Sequence, residues 1–275
     1  MTPLNFSQEV LDIHRSWERE AKKALVTLRA LEKQKITLER PVMLVPGWTD
    51  EANGTWRESY FRQRLSLQAW FEKICRNPEN LHFIESSQEE SRISESFFDL
   101  GEILKEKIRG IVNRRQSVDC VAHSMGGLTA MAALNQKKST GFRVKNLVTV
   151  ATPHLGTQWG DILASFVGRL LTDYEHYHEL QGKSMDPDQP WIQEINRPLW
   201  RRHLLQRVCR LFCLFGSRDM AVMNWAKFDI AGLGPVLQEK VHYLEYGGAA
   251  HSGKNGITTD PRVILDILMI LSGRY

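Results

Sequence analysis

The expected fold is decided by the stretch Val118-Asp119-Cys120-Val121-Ala122-His123-Ser124-Met125-Gly126-Gly127. A β-forming apolar run ends abruptly in small residues around one serine, and a helix-forming segment, 128–134, follows. Ala122 to Gly126 fit the pattern G-x-S-x-G, with Ala in place of the first Gly. Such a sharp strand-to-helix turn requires small residues beside the serine, and it strains the serine while it exposes the hydroxyl. The stretch therefore predicts a nucleophilic Ser124 at a helix N-terminus, where backbone N–H groups stabilise an oxyanion.

Length and composition predict one α/β domain. The chain has 275 residues, of which 42% are hydrophobic and 25% are charged, as is typical of a globular protein. The net charge of +4 is spread along the chain, which gives no reason to expect nucleic acid as a partner. The N-terminus lacks the basic and apolar regions of a secretory signal, and the apolar segment 263–271 is interrupted by Asp266. We expect a cytoplasmic protein whose four scattered cysteines are buried thiols (Cys75, Cys120, Cys209, Cys213).

The order of apolar runs predicts a mostly parallel sheet with helices on both faces. Short apolar runs alternate with segments of helical periodicity, and this alternation requires crossover connections. In such sheets, functional sites lie at the carboxyl ends of the strands. The predicted strands are 41–47, 118–123, 144–151, 210–215, 241–246 and the short run 81–84, and the predicted helices are 8–35, 60–75, 94–114, 128–134 and one beginning at Pro261.

Two segments outside the core strands have alternative interpretations. Residues 1–40 predict an amphipathic helix, which either packs on the body of the fold or binds a partner or a membrane surface. Residues 158–203 are rich in aromatic side chains and predict either a small helical cap over the site or a pair of connecting helices in the core. The arginines near this segment indicate at most a weak contact with an anionic membrane surface (Arg201, Arg202, Arg207, Arg210).

Two further residues complete a catalytic constellation with Ser124. Asp219 follows the predicted strand 210–215, and His251 lies in a loop of small residues after the last predicted strand. A serine hydroxyl becomes nucleophilic when an imidazole accepts its proton, and a carboxylate holds that imidazole in the required tautomer. The alternatives are a turn aspartate bonded to its own backbone, and His242 as the base, although its position inside a strand favours a structural role.

The order Ser124, Asp219, His251 is that of α/β-hydrolases, and the chain resembles lipase-like and GPI-inositol-deacylase-like members of that superfamily, including bacterial triacylglycerol lipases. The segments that carry the resemblance are Val45-Pro46-Gly47-Trp48, Ala122 to Gly127, Ala151-Thr152-Pro153-His154-Leu155-Gly156-Thr157, Ile195-Asn196, Gly216 to Asp219 and His251-Ser252-Gly253. The resemblance implies carboxylic-ester hydrolysis without a cofactor or metal. It also implies that the backbone N–H groups of Trp48 and Met125 form an oxyanion hole.

The resemblance covers residues 41–275, which we predict to be one α/β-hydrolase domain with the cap inserted at about 158–203. Two edge strands of larger members have no counterpart, although 36–38 could supply part of one, so we expect a reduced sheet. The predicted activity is acyl or lipid ester hydrolysis through an acyl-enzyme on Ser124. A thioesterase or acyltransferase with the same triad, and an inactive hydrolase fold that binds a partner, are the alternatives; the sequence does not indicate the oligomeric state.

Overall fold

The computed structural model describes residues 8–47, 66–84, 97–113, 116–135, 141–157, 186–219, 222, 226–251 and 256–275. Within these ranges the chain forms one sheet of six strands, and every neighbouring pair is parallel. The strands are β1 (Val42–Val45), β2 (Leu81–Phe83), β3 (Ser117–His123), β4 (Arg143–Val150), β5 (Val208–Gly216) and β6 (Val241–Tyr246). Their order in the sheet is β2-β1-β3-β4-β5-β6.

Helices cover both faces of this sheet, as the alternating pattern predicts. The helices in the described residues are α1 (Gln8–Gln34), α2 (Leu67–Ile74), α3 (Phe97–Ile111), α4 (Met125–Asn135), α5 (Pro190–Ile195), α6 (Pro198–Arg207), α7 (Pro235–Gln238) and α8 (Pro261–Leu271). One core cluster contains buried side chains of α3, α4, α5 and α6, and a second contains those of α1, α2 and α8. A parallel sheet has to be buried on both faces, and these two clusters meet that requirement.

Helix α4 lies in the centre of one layer and is buried along nearly its whole length, from Met125 to Leu134. Small residues allow its neighbours to approach closely. A methyl group at Gly101 of α3 would lie 2.7 Å from the backbone nitrogen of Ala133. A helix that is apolar on all sides belongs in a core, so the sequence after the serine turn places α4 between the sheet and α3.

The strand order reverses at the centre of the sheet, between β1 and β3. From β1 the chain moves to the edge strand β2, and it then returns to place β3 on the other side of β1. The register sets Val45 opposite Ala122 and His123 opposite Val150, so the carboxyl ends of β1, β3 and β4 lie side by side. Ligands of open α/β sheets bind at such a reversal point, and Ser124 follows β3 directly there.

A polar network joins the strands near their other, amino ends. Asp119 is fully buried, and its carboxylate accepts bonds from Arg40 Nε at 3.0 Å and from both the backbone and side-chain nitrogens of Asn146. Arg210 Nε then donates to Asn146 Oδ1 at 3.0 Å. Buried charges need such partners, and this network satisfies the only charged side chain at the centre of β3.

The structure differs from the sequence prediction in three places. Helix α2 begins at Leu67 because the Ser66 side chain caps it, and residues 60–65 of the predicted helix lie outside the described residues. Ile36 makes one isolated bridge to Cys75 and forms no edge strand of the sheet. Cys209 is exposed rather than buried. It is the second residue of β5, and because side chains alternate along a strand, it points away from the core face on which Val208 is buried.

Helix α1 packs on the body of the fold through Ala24, Leu28 and Leu31, against α2 and α8. The described part of the segment predicted as a cap contains α5 and α6. Trp200 of α6 belongs to the core, while 158–185 lie outside the described residues, so the cap stays a prediction.

Arg201 does not face a surface as predicted, since α6 turns it inward. It is buried and bonds both the carboxylate and the carbonyl oxygen of Asp229. In the described part of the chain, no helix combines the length and the apolar character needed to cross a bilayer.

Candidate active site

The turn between β3 and α4 holds Ser124 in a left-handed backbone conformation, with φ of 51°. Such a conformation is strained for a residue other than glycine. The turn is tied to the next strand, because the Ser124 N–H donates to the carbonyl oxygen of Val150 at 2.8 Å. A methyl group at Gly126 would collide with the carbonyl oxygen of Pro46, which explains why a glycine follows two residues after the serine. The local sequence therefore holds Ser124 in a tight turn at the carboxyl end of the sheet, where the residue is buried.

The loop after β4 supports the same turn from the other side. A methyl group at Gly127 would collide with the Thr152 hydroxyl, so α4 starts in close contact with this loop. Ala151 also has a left-handed backbone, with φ of 51°, and its N–H donates to the carbonyl oxygen of Leu214 at 2.7 Å. Two strained non-glycine residues thus lie at adjacent strand ends, a concentration that is typical of functional sites.

Asp219 lies just beyond β5 and is fully buried. One carboxylate oxygen, Oδ1, accepts a hydrogen bond from the Val222 N–H at 3.2 Å, which is the local turn bond expected of a structural aspartate. The other oxygen, Oδ2, lies 2.9 Å from Nδ1 of His251. One carboxylate oxygen of Asp219 therefore makes the local turn bond, and the other contacts the His251 imidazole.

His251 lies between Asp219 and Ser124. Its second ring nitrogen, Nε2, lies 3.0 Å from the Ser124 hydroxyl oxygen. An ionised carboxylate only accepts hydrogen bonds, so Nδ1 carries the proton that it donates to Asp219, and Nε2 is left to accept the serine O–H. The His251 side chain is 23% exposed, so the imidazole is not sealed in the core as the Asp219 carboxylate is.

His242, the alternative base, lies elsewhere in the sheet. It occupies the second position of β6, and its ring stacks on Phe212 with centroids 4.7 Å apart. Burial, aided by the charge of Arg210, lowers the pKa of His242. Its place near the amino end of β6 gives it a structural role, in agreement with the sequence prediction.

Of the two predicted oxyanion donors, Met125 lies within the described residues and Trp48 does not. Met125 is the first residue of α4 and is buried directly after Ser124. The first N–H groups of an α-helix have no acceptor within the helix, so the Met125 N–H is available for an oxyanion. Trp48 lies outside the described residues, although Pro46 and Gly47 before it are buried at the end of β1.

The buried His154 holds the loop after β4. The sequence pattern does not predict this structural role. His154 Nε2 lies 2.9 Å from the Thr149 hydroxyl, which itself donates to the carbonyl oxygen of Phe212 at 3.2 Å. The His154 carbonyl oxygen accepts from Asn196 Nδ2 at 3.0 Å, so α5 is tied to the same loop. Complete burial lowers the pKa of His154 to about 3, and this imidazole is therefore neutral at physiological pH.

An apolar cleft of about 550 Å³ opens at the same end of the sheet. Leu155 contributes from the loop after β4, and Phe215 from the end of β5. The remaining lining residues are Lys227, Phe228, Asp229, Ile230, Tyr243 and Glu245. A cleft of this size accommodates a small hydrocarbon group near the ends of β4 and β5, although Ser124, Asp219 and His251 are not among the described residues that line it.

Comparisons with known proteins bear on the fold. The family model described as a PGAP1-like alpha/beta domain matches residues 95–186, which include the serine turn. The chain superimposes on phospholipase PlaB from Legionella pneumophila with a TM-score of 0.55 at 15% identity, covering 84% of this chain and 59% of that one. The chain thus spans well under two thirds of the phospholipase's length. A comparison with curated proteins finds no match.

Two further solved structures match this chain over nearly the whole of their own length. The monoacylglycerol lipase of Paleococcus ferrophilus matches with a TM-score of 0.51 at 13% identity, over 88% of this chain and 97% of the lipase. YbtT, the type II thioesterase of the yersiniabactin pathway, matches with a TM-score of 0.53 at 14% identity, over 84% and 92% of the two chains. The chain has the α/β-hydrolase fold. The likeness at such low identity establishes the fold, and the activity has to be argued from the site.

Within the described residues, the sheet is reduced, as the sequence predicts. Six strands are present, and β2 forms one edge while β6 forms the other. The reduction leaves the centre of the fold intact, since the strands β1, β3, β4, β5 and β6 carry every element of the candidate site.

Proposed function

We propose that this α/β-hydrolase cleaves carboxylic esters of acyl or lipid substrates through an acyl-enzyme on Ser124. One observation carries the proposal: Ser124 Oγ lies 3.0 Å from His251 Nε2, and His251 Nδ1 lies 2.9 Å from Asp219 Oδ2. These two contacts are the ones through which an imidazole activates a serine hydroxyl. The position of Ser124 on a strained turn between β3 and α4 supports the same role.

In the first half of the reaction, Ser124 Oγ attacks the ester carbonyl carbon while His251 Nε2 accepts the hydroxyl proton. Asp219 stabilises the resulting imidazolium through Nδ1. When the tetrahedral intermediate collapses, the bond from carbon to the alcohol oxygen breaks, and His251 gives its proton to the leaving alcohol. The product of this half is an acyl group bound to Ser124 Oγ.

In the second half, His251 takes a proton from water, and the water oxygen attacks the acyl carbon. The bond to Ser124 then breaks, and the serine recovers its proton from His251. We assign the backbone N–H groups of Met125 and Trp48 as the donors to the oxyanion in both halves. One donor of this kind contributes about 3 kcal/mol of transition-state stabilisation.

The cleft beside Leu155 and Phe215 supports an apolar acyl or alcohol group on the substrate. Hydrocarbon burial contributes about 0.8 kcal/mol per methylene group, so a cleft of this kind favours longer chains over acetate. Hydrolysis of a monoacylglycerol and of a thioester, named for two of the structural relatives, uses the same acyl-enzyme chemistry. The reacting residues do not distinguish these substrates, and the test therefore has to compare them.

A fluorophosphonate ester, which reacts only with an activated serine, tests the nucleophile. We expect the wild type to be labelled, Ser124→Ala to be inert and Asp219→Asn to be labelled much more slowly. Ser272→Ala, which removes a hydroxyl at the end of α8, is the matched control and should be labelled like the wild type. Labelling that persists in Ser124→Ala would overturn the proposed mechanism.

Matched p-nitrophenyl esters and acyl thioesters of increasing chain length then separate the substrate classes. We expect turnover of the esters with water as the acceptor. Faster turnover of the thioesters would assign the chain to thioester hydrolysis. A folded wild type that neither reacts with the probe nor turns over any member of the panel would favour the inactive binding protein.

A further inference from the structure

Helix α1 reaches the loop that carries His251. The indole ring of Trp17 lies directly on Gly247 and Gly248, the first two residues of that loop. A methyl group at Gly247 would collide with the indole, and one at Gly248 would lie 2.7 Å from its Cε3 atom. Gly248 also has φ of 79°, a conformation that glycine adopts without strain. The two glycines are therefore fitted to the indole as well as to the turn.

The same indole contacts the loop that carries Asp219. The guanidinium carbon of Arg218, the residue before Asp219, lies 5.4 Å from the centroid of the Trp17 ring, within the range of a cation–π contact. Trp17 thus contacts both of the loops whose side chains orient each other at the candidate active site.

The two loops are also joined to each other beneath the indole. The Arg218 N–H donates to the carbonyl oxygen of Ala249 at 3.0 Å, and the Gly248 N–H donates to the Ser217 hydroxyl at 2.9 Å. A methyl group at Gly216 would collide with the carbonyl oxygen of Ala249, so the backbones are in close contact. A displacement of one loop is therefore transmitted to the other.

A second contact from α1 reaches the same loop through α8. Arg262 Nη2 donates to the Gly247 carbonyl oxygen at 2.8 Å and to Asp260 Oδ2 at 2.7 Å. Arg262 Nη1 also bonds Glu20 of α1 at 3.3 Å. Trp17 and Glu20 lie three residues apart and so share one face of the helix. This face of α1 meets the His251 loop at two points.

We propose that Trp17, supported by the Glu20–Arg262 pair, is a positioning residue that keeps the His251 loop in register with the Asp219 loop. The inference rests on the proposed hydrolase function. A loop of Gly247, Gly248 and Ala249 loses much backbone entropy when it is ordered, and the docked indole restricts its alternatives. Displacement of a general base by about 1 Å costs about 100-fold in rate, so α1 belongs to the functional unit.

Trp17→Ala tests the proposal, with Trp17→Phe as the conservative variant and Val26→Ala as the control. Val26 is on the same helix and is 67% exposed. We expect Trp17→Ala to lower kcat for a p-nitrophenyl ester by about 10- to 100-fold with KM within about twofold, because the base and not the substrate is displaced. Trp17→Phe should recover most of the activity, and Val26→Ala should match the wild type. An unchanged kcat in folded Trp17→Ala would overturn the inference.

Hydrogen exchange over residues 246–251 gives a readout that does not depend on turnover. We expect the exchange in Trp17→Ala to be about tenfold faster there than in the wild type, with no change in the central strand β3. Equal exchange in the two proteins would overturn the proposal even if the wild type has no esterase activity. Should Trp17→Ala fail to fold, Glu20→Gln on the exposed side of the contact should lower kcat by about two- to threefold, and no loss there would count against the proposal.

These readouts separate the inference from the proposed function. A wild type that fluorophosphonate does not label contradicts the hydrolase mechanism, while faster exchange in Trp17→Ala would still show that α1 holds the loop. A second result would contradict only the positioning role of α1. In that result, the probe labels the wild type and Trp17→Ala at the same rate and does not label Ser124→Ala, as the hydrolase mechanism requires.

Discussion

Ser124 and His251 lie 127 positions apart in the chain, yet the serine Oγ is 3.0 Å from Nε2 of the imidazole. Neither residue has a local reason to meet the other. Ser124 follows the central strand β3, whereas His251 follows the edge strand β6. Two intervening strands, β4 and β5, set the distance between them, and the loop after β6 has to reach back over the strand ends. The precision of this contact is a property of the whole sheet.

The orienting role that we propose for Asp219 predicts that a change of one atom has a large effect on catalysis. In Asp219→Asn, the amide can donate to His251 Nδ1 and thereby hold the imidazole in the wrong tautomer. We expect kcat for an ester substrate to fall by about 10⁴-fold while the circular dichroism spectrum and the unfolding midpoint change little. Asp188→Asn, in an exposed turn, is the control and should retain full activity. A loss of less than tenfold in Asp219→Asn would contradict the assigned role.

Two glycine-to-alanine changes should have opposite effects on stability. Gly126→Ala puts a methyl group against the carbonyl oxygen of Pro46, so we expect a loss of about 1–3 kcal/mol in the free energy of unfolding and a loss of activity. Gly110→Ala, in α3, meets no atom within 4 Å and should gain about 0.5–1 kcal/mol. Urea unfolding of both variants measures the two changes. Equal stability of the two variants would show that the serine turn tolerates a larger residue.

His154 predicts how stability depends on pH. Its folded-state pKa is about 3, well below the unfolded value of about 6.5, so the folded protein binds fewer protons between these values. The stabilisation from the neutral imidazole is therefore complete above about pH 6.5 and is lost progressively as the pH falls towards 3. The loss from this residue is about 1.4 kcal/mol per pH unit within that range.

The test compares His154→Gln with His203→Gln, whose side chain is exposed on α6. The slope of unfolding free energy against pH between 6 and 4 should become shallower by about 1.4 kcal/mol per pH unit in His154→Gln. The slope of His203→Gln should match the wild type, because that imidazole contacts solvent in both states. The same slope in both variants and in the wild type would show that His154 is not kept neutral by the fold.

The network at the amino ends of the strands should affect stability without affecting catalysis. Asp119→Ala leaves the largely buried Arg40 without its buried partner, and we expect a loss on the order of 3–5 kcal/mol in unfolding free energy. Glu39→Ala removes the exposed partner of the same arginine and should cost less than about 1 kcal/mol. The kcat of the folded Asp119→Ala fraction should equal that of the wild type, since the network lies at the opposite end of β3. Similar unfolding free energies for the two variants would contradict the assigned importance of Asp119.

The cleft predicts a preference for acyl-chain length. Ile230→Trp fills part of the cleft, and we expect kcat/KM for an octanoyl ester to fall about tenfold relative to that for an acetyl ester. Val236→Trp, at a position that is 74% exposed, should leave this ratio unchanged. A ratio that does not change in Ile230→Trp would place the acyl chain elsewhere.

The sequence determined the elements and the side chains at their ends, because these depend on local information. Apolar runs of strand length and a three-to-four-residue periodicity predict β3, β4, α1 and α8 within a few residues. The small residues around Ser124 predict the turn, since any larger side chain collides there. Cys209 was placed wrongly because the sequence does not reveal which face of β5 is exposed at its first residues.

Only the tertiary structure decided which distant residues support the site. In the sequence, Trp17 is one more apolar residue of an amphipathic helix, and Gly247 and Gly248 indicate an ordinary turn. Their contact is visible only when α1 packs across the ends of the strands. Asn196 likewise reaches the carbonyl oxygen of His154 only because α5 packs on the loop after β4. Contacts between segments far apart in sequence depend on how the helices and the sheet pack, and local propensity carries no information about that packing.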